Sequence, residues 1–279
     1  MSTNKPSKPS DAIGAIDHVV IAVADLQQSA DLYRRLGFTL SPKGVHSAEL
    51  GTVNHTIMLG SDYFELLAVA IATERNEHWR QSIAAGGGVA GMAMTTVDAS
   101  AAREHWLAAG LVPDMPMKFS RAVARPDGQT LEARFEVVSL DEVPGLGMHL
   151  FVCAQPTREA VWLPELTVHA NTAQGIRRLR IACPDPDYSA AQWQRALPAA
   201  RIKPGSSGVT IDTGRHQIEL SRHDRPQVRT LGIDFVVADL AACRSALACG
   251  AVAHQMDGAG VALATGATGK VAIRFEAQA

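Results

Sequence analysis

The chain has 279 residues, 47% hydrophobic and 19% charged, with a formal net charge of -2 from 26 basic and 28 acidic side chains. That is enough for two domains of ordinary size, each with its own core. The near-neutral balance, with no basic run, gives no electrostatic footprint for nucleic acid or an anionic membrane, and no apolar stretch reaches the roughly 20 residues that span a bilayer. A small molecule is the expected partner of a cytoplasmic protein, either monomer or homodimer. The polar segment Met1 to Asp11 lacks an apolar signal region and reads as part of a disordered leader over residues 1–12.

In chain order the first element is the β-branched run Ile16 to Val23, a strand. Asp25 then caps a helix with Gln28 at its third position, Leu26, Ala30 and Tyr33 supply an apolar stripe, and Gly37 stops it. Strands follow at Thr56 to Leu59 and Tyr63 to Val69, around a turn at Gly60-Ser61-Asp62. A second copy runs from Val89, with Asp98 as cap, Ala102, Trp106 and Ala109 as stripe and Gly110 as stop; in both copies the glycine stands twelve positions after the aspartate. The third copy has a strand at Leu179 to Cys183, Asp187 as cap, Trp193 and Leu197 as stripe and Pro198 blocking continuation. The fourth has Gly232 to Ala238, Asp239, the stripe Leu240, Cys243 and Leu247, and Gly250.

Roughly 35 to 45 residues after each helix leave room for three strands, so the unit is βαβββ, repeated four times. The fold expected is α+β: four modules forming two paired, cupped mixed sheets with helices outside. The first pair occupies residues 13–153 and the second 175–279. Residues 154–174 link them, and Ala72 to Gly88, ending in Gly86-Gly87-Gly88, joins the first two units as a flexible segment. Gly269-Lys270 lacks the residues of a phosphate loop and reads as a hairpin turn. Cys153, Cys183, Cys243 and Cys249 form no Cys-x-x-Cys pair and read as free buried thiols.

These units, opening with Asp17-His18-Val19-Val20 and closing with Asp62-Tyr63-Phe64-Glu65-Leu66, resemble the vicinal oxygen chelate superfamily. That superfamily includes glyoxalase I, methylmalonyl-CoA epimerase, fosfomycin-resistance proteins and extradiol dioxygenases. His46, Gly51-Thr52-Val53-Asn54, the Tyr-Phe-Glu-Leu strand and His169-Ala170-Asn171 are similar to its glyoxalase-like domain branch. The resemblance implies a divalent metal, Fe, Mn, Zn or Ni, held by His18 and Glu65 of the first unit and His149 of the second, with Gly91 at the fourth position unable to ligate. Two imidazoles and one carboxylate are a chemically coherent set for such a metal. The corresponding positions of the second pair, Arg178 or Arg180, Gly232 to Asp234, Glu219 and Arg274, carry no histidine, so that half is expected to be structural or to shape access.

The bland alternatives are core histidines, yet a polar ring or carboxylate inside an aliphatic strand is costly to bury without a partner. His55 and His169 are the candidate proton carriers. A three-residue turn before Tyr63 aims His55 inward, and a two-residue turn aims it outward. His169 and Trp162 lie where the linker either closes over the cavity or pins itself to the surface. His46 has the same two readings, whereas His78 and His216 read as surface or packing residues.

The expected function is a glyoxalase-like metalloenzyme that binds vicinal oxygens of a small hydroxycarbonyl-type substrate and catalyses isomerisation or lyase chemistry through a metal-stabilised enolate. The alternatives are an extradiol-type Fe(II) ring-cleavage dioxygenase and a metal-independent protein that binds a drug or metabolite.

Overall fold

A computed structural model describes residues 12–124, 128, 130–140, 142–205, 208–263 and 271–278. The leader up to Asp11 and the Gly269-Lys270 turn lie outside the described residues. In the N-terminal half the elements are β1 (Ile16–Ala22), α1 (Leu26–Arg35), β2 (Gly44–Val45), β3 (Thr52–Met58), β4 (Tyr63–Val69), α2 (Glu77–Ala84), β5 (Gly88–Thr95), α3 (Ala99–Ala108), β6 (Met117–Ala124), β7 (Thr130–Ser139) and β8 (His149–Ala154). The C-terminal half contains β9 (Ala173–Cys183), α4 (Pro186–Ala196), β10 (Arg201–Gly205), β11 (Gly208–Asp212), β12 (Gln217–Arg222), β13 (Arg229–Val237), α5 (Leu240–Cys249), β14 (His254–Asp257), β15 (Gly260–Leu263) and β16 (Ala272–Ala277).

Each half is one eight-stranded mixed sheet, ordered β2-β3-β4-β1-β5-β8-β7-β6 and β10-β11-β12-β9-β13-β16-β15-β14. Within a unit the first and last strands pair in parallel, and the two units of a half join through their antiparallel first strands, β1 to β5 and β9 to β13. This is the paired βαβββ architecture. Asp25, Asp98 and Asp239 cap their helices as the repeat predicts, each accepting from a backbone N–H of the first turn. In the third unit the cap is Asp185, two residues before the predicted Asp187, because Pro186 takes the first helical position, where its missing N–H costs nothing.

Helices α1, α3, α4 and α5 lie on the convex backs of the sheets, and those backs pack against each other. One core therefore runs through both halves, in which Phe64 meets Phe235 at 5.1 Å between ring centroids and Phe38 meets Phe235 at 5.4 Å. On its other face the second sheet carries ion pairs: Arg180–Asp234 at 2.9 Å, Arg178–Glu219 at 3.1 Å and Arg177–Glu276 at 3.4 Å. Arg178 and Glu219 among them stand at the strand positions that His18 and Glu65 hold in the first half. No helix among the described residues is long and apolar enough to cross a membrane. The four cysteines are free; three are buried, whereas Cys249 is exposed.

The join between the first two units differs from its reading as a flexible segment. It contains α2, preceded by a short 3-10 turn at Glu74–Asn76 in which Asn76 Oδ1 accepts from Thr73 N at 3.1 Å. Trp79 anchors this helix inside the first cup against Val20, Ala22, Leu67 and Ala90.

Candidate functional site

The first sheet curls until its two edges approach. His46, just after β2, and Phe119 on β6 stand 6.4 Å apart, and Arg121 Nη1 lies 3.8 Å from where a β-carbon on Gly44 would be. The concave cavity is about 900 Å³, within the range of small-molecule sites. Alternation along the strands places His18, Tyr63, Glu65, His149, Phe151 and Cys153 on its lining.

His18 is set by a bulge. The pairing of β1 with β5 slips between Ile16 and His18, which brings Asp17 and its neighbour together although consecutive strand residues normally face opposite ways. His18 Nδ1 lies 2.9 Å from Asp17 Oδ2. A carboxylate only accepts, so Nδ1 carries the hydrogen and Nε2 of the neutral ring keeps its lone pair. Asp17 is buried, and it accepts from Gln155 Nε2 at 2.6 Å and Arg158 Nη1 at 3.1 Å, both from the segment between the halves. Tyr63 stacks on the His18 ring at 4.3 Å, Trp162 meets Tyr63 edge-on, and Arg158 lies over Trp162 at 3.4 Å. Burial, reinforced by Asp17, carries the Tyr63 phenol well above its ordinary pKa, so it stays protonated.

Glu65 is the second floor residue, and Asn54 Nδ2 donates to its Oε2 at 2.5 Å. His46 completes the polar end, with Nδ1 2.7 Å from Thr52 Oγ1. Burial pulls the His46 imidazole below its ordinary range, Glu65 pulls it back, and Arg121 and His18 add to the fall.

The proposed donor set does not converge. Among the described residues no three His, Cys, Asp or Glu side chains are grouped to hold a metal. His149 pairs with Gly91, three strands along from Glu65 and on a different row of the sheet from His18. Its Nε2 lies 3.2 Å from Ser139 Oγ, its ring stacks on His78 at 4.1 Å, and Phe151 contacts both His149 and His18. Trp79 occupies the space beside Gly91, where an added β-carbon would come within 2.5 Å of the indole. The residues present therefore do not fit a His18, Glu65, His149 metal centre. Gly91→Ala is expected to destabilise the protein by about 1 to 3 kcal/mol through overpacking. In a double-mutant cycle read by thermal denaturation, Trp79→Ala should relieve most of that cost.

The two predicted proton carriers lie off the cavity. Met58 pairs with Tyr63 and Leu59 N donates to Asp62 O, which leaves a two-residue Gly60-Ser61 turn. That parity sends Asn54 and Thr56 inward and His55 outward, where its Nδ1 lies 2.8 Å from Ser41 O. His169 accepts from Thr39 N at 3.0 Å through Nδ1 and donates to Met58 O at 2.8 Å through Nε2, so both nitrogens are spent tying the linker to the first half. Trp162 pins in the same way, donating to Leu59 O at 3.2 Å.

Asp17, Asn54, Arg121, His78 and Trp79 had no assigned site role in the sequence; only the adjacency of Asp17 to His18 was a visible signal. Burial lowers His78 to about 4, and burial with the neighbouring His78 lowers His149 to about 3. Both rings are neutral in the folded protein at neutral pH, while the unfolded chain protonates its histidines near pH 6.5. Stability is therefore complete above that value and is lost progressively as the pH falls towards the folded values. His149→Phe should flatten this acid limb in denaturant titrations between pH 6.5 and 4.

Comparison with solved structures finds the same fold at low identity. A hypothetical protein from Staphylococcus aureus superposes with a TM-score of 0.68 at 11% identity, covering 95% of this chain and 99% of that one. A mutant of 4-hydroxymandelate synthase from Streptomyces coelicolor gives 0.62 at 12%, covering 96% and 94%. A xylose isomerase-like TIM barrel/4-hydroxyphenylpyruvate dioxygenase fusion protein gives 0.61 at 14%, covering 99% of this chain and 50% of that one. Comparison with curated proteins finds no match. The family model described as Glyoxalase-like domain matches residues 16–197, which is more than half of the sequence, and the chain belongs to that family.

Proposed function

We propose that this chain is an enzyme that moves a proton on a small substrate with two neighbouring oxygens, such as a hydroxycarbonyl compound, in isomerase or lyase chemistry. The observation that carries this reading is the Asp17–His18 pair on the cavity floor. Asp17 fixes the tautomer and stabilises the imidazolium that forms when Nε2 takes a proton from carbon beside a carbonyl. The C–H electron pair passes into the carbonyl and gives an enolate. The His18 imidazolium then gives its proton, exchanged with solvent, back to a carbon of the enolate and returns to the neutral ring, while burial keeps the neighbouring His46 neutral. Tyr63, by stacking, holds the His18 ring in place.

Members of this superfamily commonly use a divalent metal, but the donor geometry here does not favour one at His18, Glu65 and His149, and no step is routed through it. The test is wash-in of solvent deuterium beside the carbonyl of hydroxycarbonyl compounds, followed by NMR. Wild type should exchange and His18→Asn should not; equal exchange by both would overturn the reading. Elemental analysis of untagged protein, alongside His18→Ala, tests the metal separately. Near-stoichiometric Fe, Mn, Zn or Ni that disappears in the variant would restore the metal-stabilised enolate. The fold shared with the dioxygenase fusion protein gives a second reading, ring cleavage, which predicts oxygen uptake with a catechol.

A further inference from the structure

Two arginines line the cavity, and they differ in their commitments. Arg75 is paired with Glu49. Arg121, on edge strand β6, has no described carboxylate within ion-pairing distance. Its guanidinium lies 6.0 Å from the Phe135 ring centroid and reaches towards Gly44 and the Asn54 amide beyond it. The nearest floor carboxylate, Glu65, is hydrogen-bonded to Asn54 instead. A half-buried guanidinium facing a concave aromatic-lined space loses part of its hydration, an anion there offsets that loss, and its planar fork matches a carboxylate.

The walls beside Arg121 are aromatic. Phe119 and Phe135 stack at 5.1 Å with planes 20° apart, and Phe151, Trp79 and the His78–His149 stack line the same cavity. Flat apolar surfaces of this kind favour a ring in offset or edge contact.

We propose that the cavity takes an aromatic carboxylate, with its carboxyl group on the Arg121 guanidinium and its ring against Phe119 and Phe135. This inference names a substrate class for the site of the proton-transfer reading and rests on that site, though not on its chemistry.

The test is calorimetric titration of phenylacetate, 3-phenylpropanoate, cinnamate and mandelate, each against its methyl ester. At least one acid should bind about tenfold or more tightly than its ester. Arg121→Gln should abolish the difference and Arg121→Lys should retain part of it, with circular dichroism and melting unchanged in both. His18→Asn should keep the acid preference, so a failed exchange experiment leaves this inference standing. Esters that bind as well as acids, acids that bind Arg121→Gln as well as wild type, or no binding by any of the four acids would each overturn it.

Discussion

Asp17→Asn is expected to lower turnover by about 10³ to 10⁴, comparable to the loss of His18 itself, while leaving the affinity for an aromatic acid within a few-fold of wild type. The reason is the direction of one hydrogen bond. Asp17 is held by Gln155 and Arg158 as well as by His18, and a carboxylate can accept from all three. Arg158 donates to Oδ1, whereas Gln155 shares Oδ2 with His18. An amide that keeps its oxygen towards Arg158 puts its NH2 group where Oδ2 stood, and Gln155 turns its own amide oxygen to accept from it. The second N–H points at His18 Nδ1, so the ring then carries its hydrogen on Nε2, the nitrogen needed as base. Nitrogen-15 spectra of the imidazole should show the switch of tautomer directly. Arg158→Met removes one of the supports while leaving Gln155 in place, so its loss should be smaller, about 10-fold to 100-fold. Wild-type turnover by Asp17→Asn would mean that the pair only stabilises the strand.

The repeat was readable because it is written locally. Strand runs, aspartate caps and closing glycines lie within about twenty residues of one another, and the hydrogen bonds that realise them span two or three positions. Chemistry assigned by strand parity was legible only as far as parity was fixed. His18 and Glu65 line the cavity, whereas His55 depended on one residue of turn length. The bulge at Asp17 left no mark in the sequence beyond the adjacency of two polar residues. His169 was visible as a polar ring, but its partners Thr39 and Met58 are 130 and 111 residues away, and no local pattern shows that both nitrogens are already spent. The helix over Glu77–Ala84 was hidden for another reason: it carries a single buried anchor, Trp79, and runs into three glycines that favour a linker. Gly91 was correctly read as a position that cannot ligate. What fills the space, an indole from that hidden helix, could only be seen in the fold.

The largest expected loss of stability comes from a buried pair that joins the two halves. His216 Nε2 lies 3.0 Å from Asp62 Oδ2, with side-chain exposures of 0% and 2%. Asp62 Oδ1 also accepts from Ile176 N at 3.0 Å. Around this pair Gly60 N donates to Gln174 O and Arg215 donates to Ser61 O, so the turn that leads into β4 is fastened to the second half at several points. Removing Asp62 leaves the His216 ring and the Ile176 N–H buried without this partner. Asp62→Ala is therefore expected to cost about 3 to 5 kcal/mol in denaturant unfolding. The double variant with His216→Ala should cost much less than the sum of the single variants, because either substitution alone already destroys the contact. Glu65 and Tyr63 follow Asp62 on the same strand, but both are also held from β1 and β3, by the His18 stack and the Asn54 hydrogen bond. Deuterium exchange by Asp62→Ala, measured well below its melting temperature, should stay within a few-fold of wild type. A large loss of exchange with little loss of stability would instead mean that the second half positions the floor of the first.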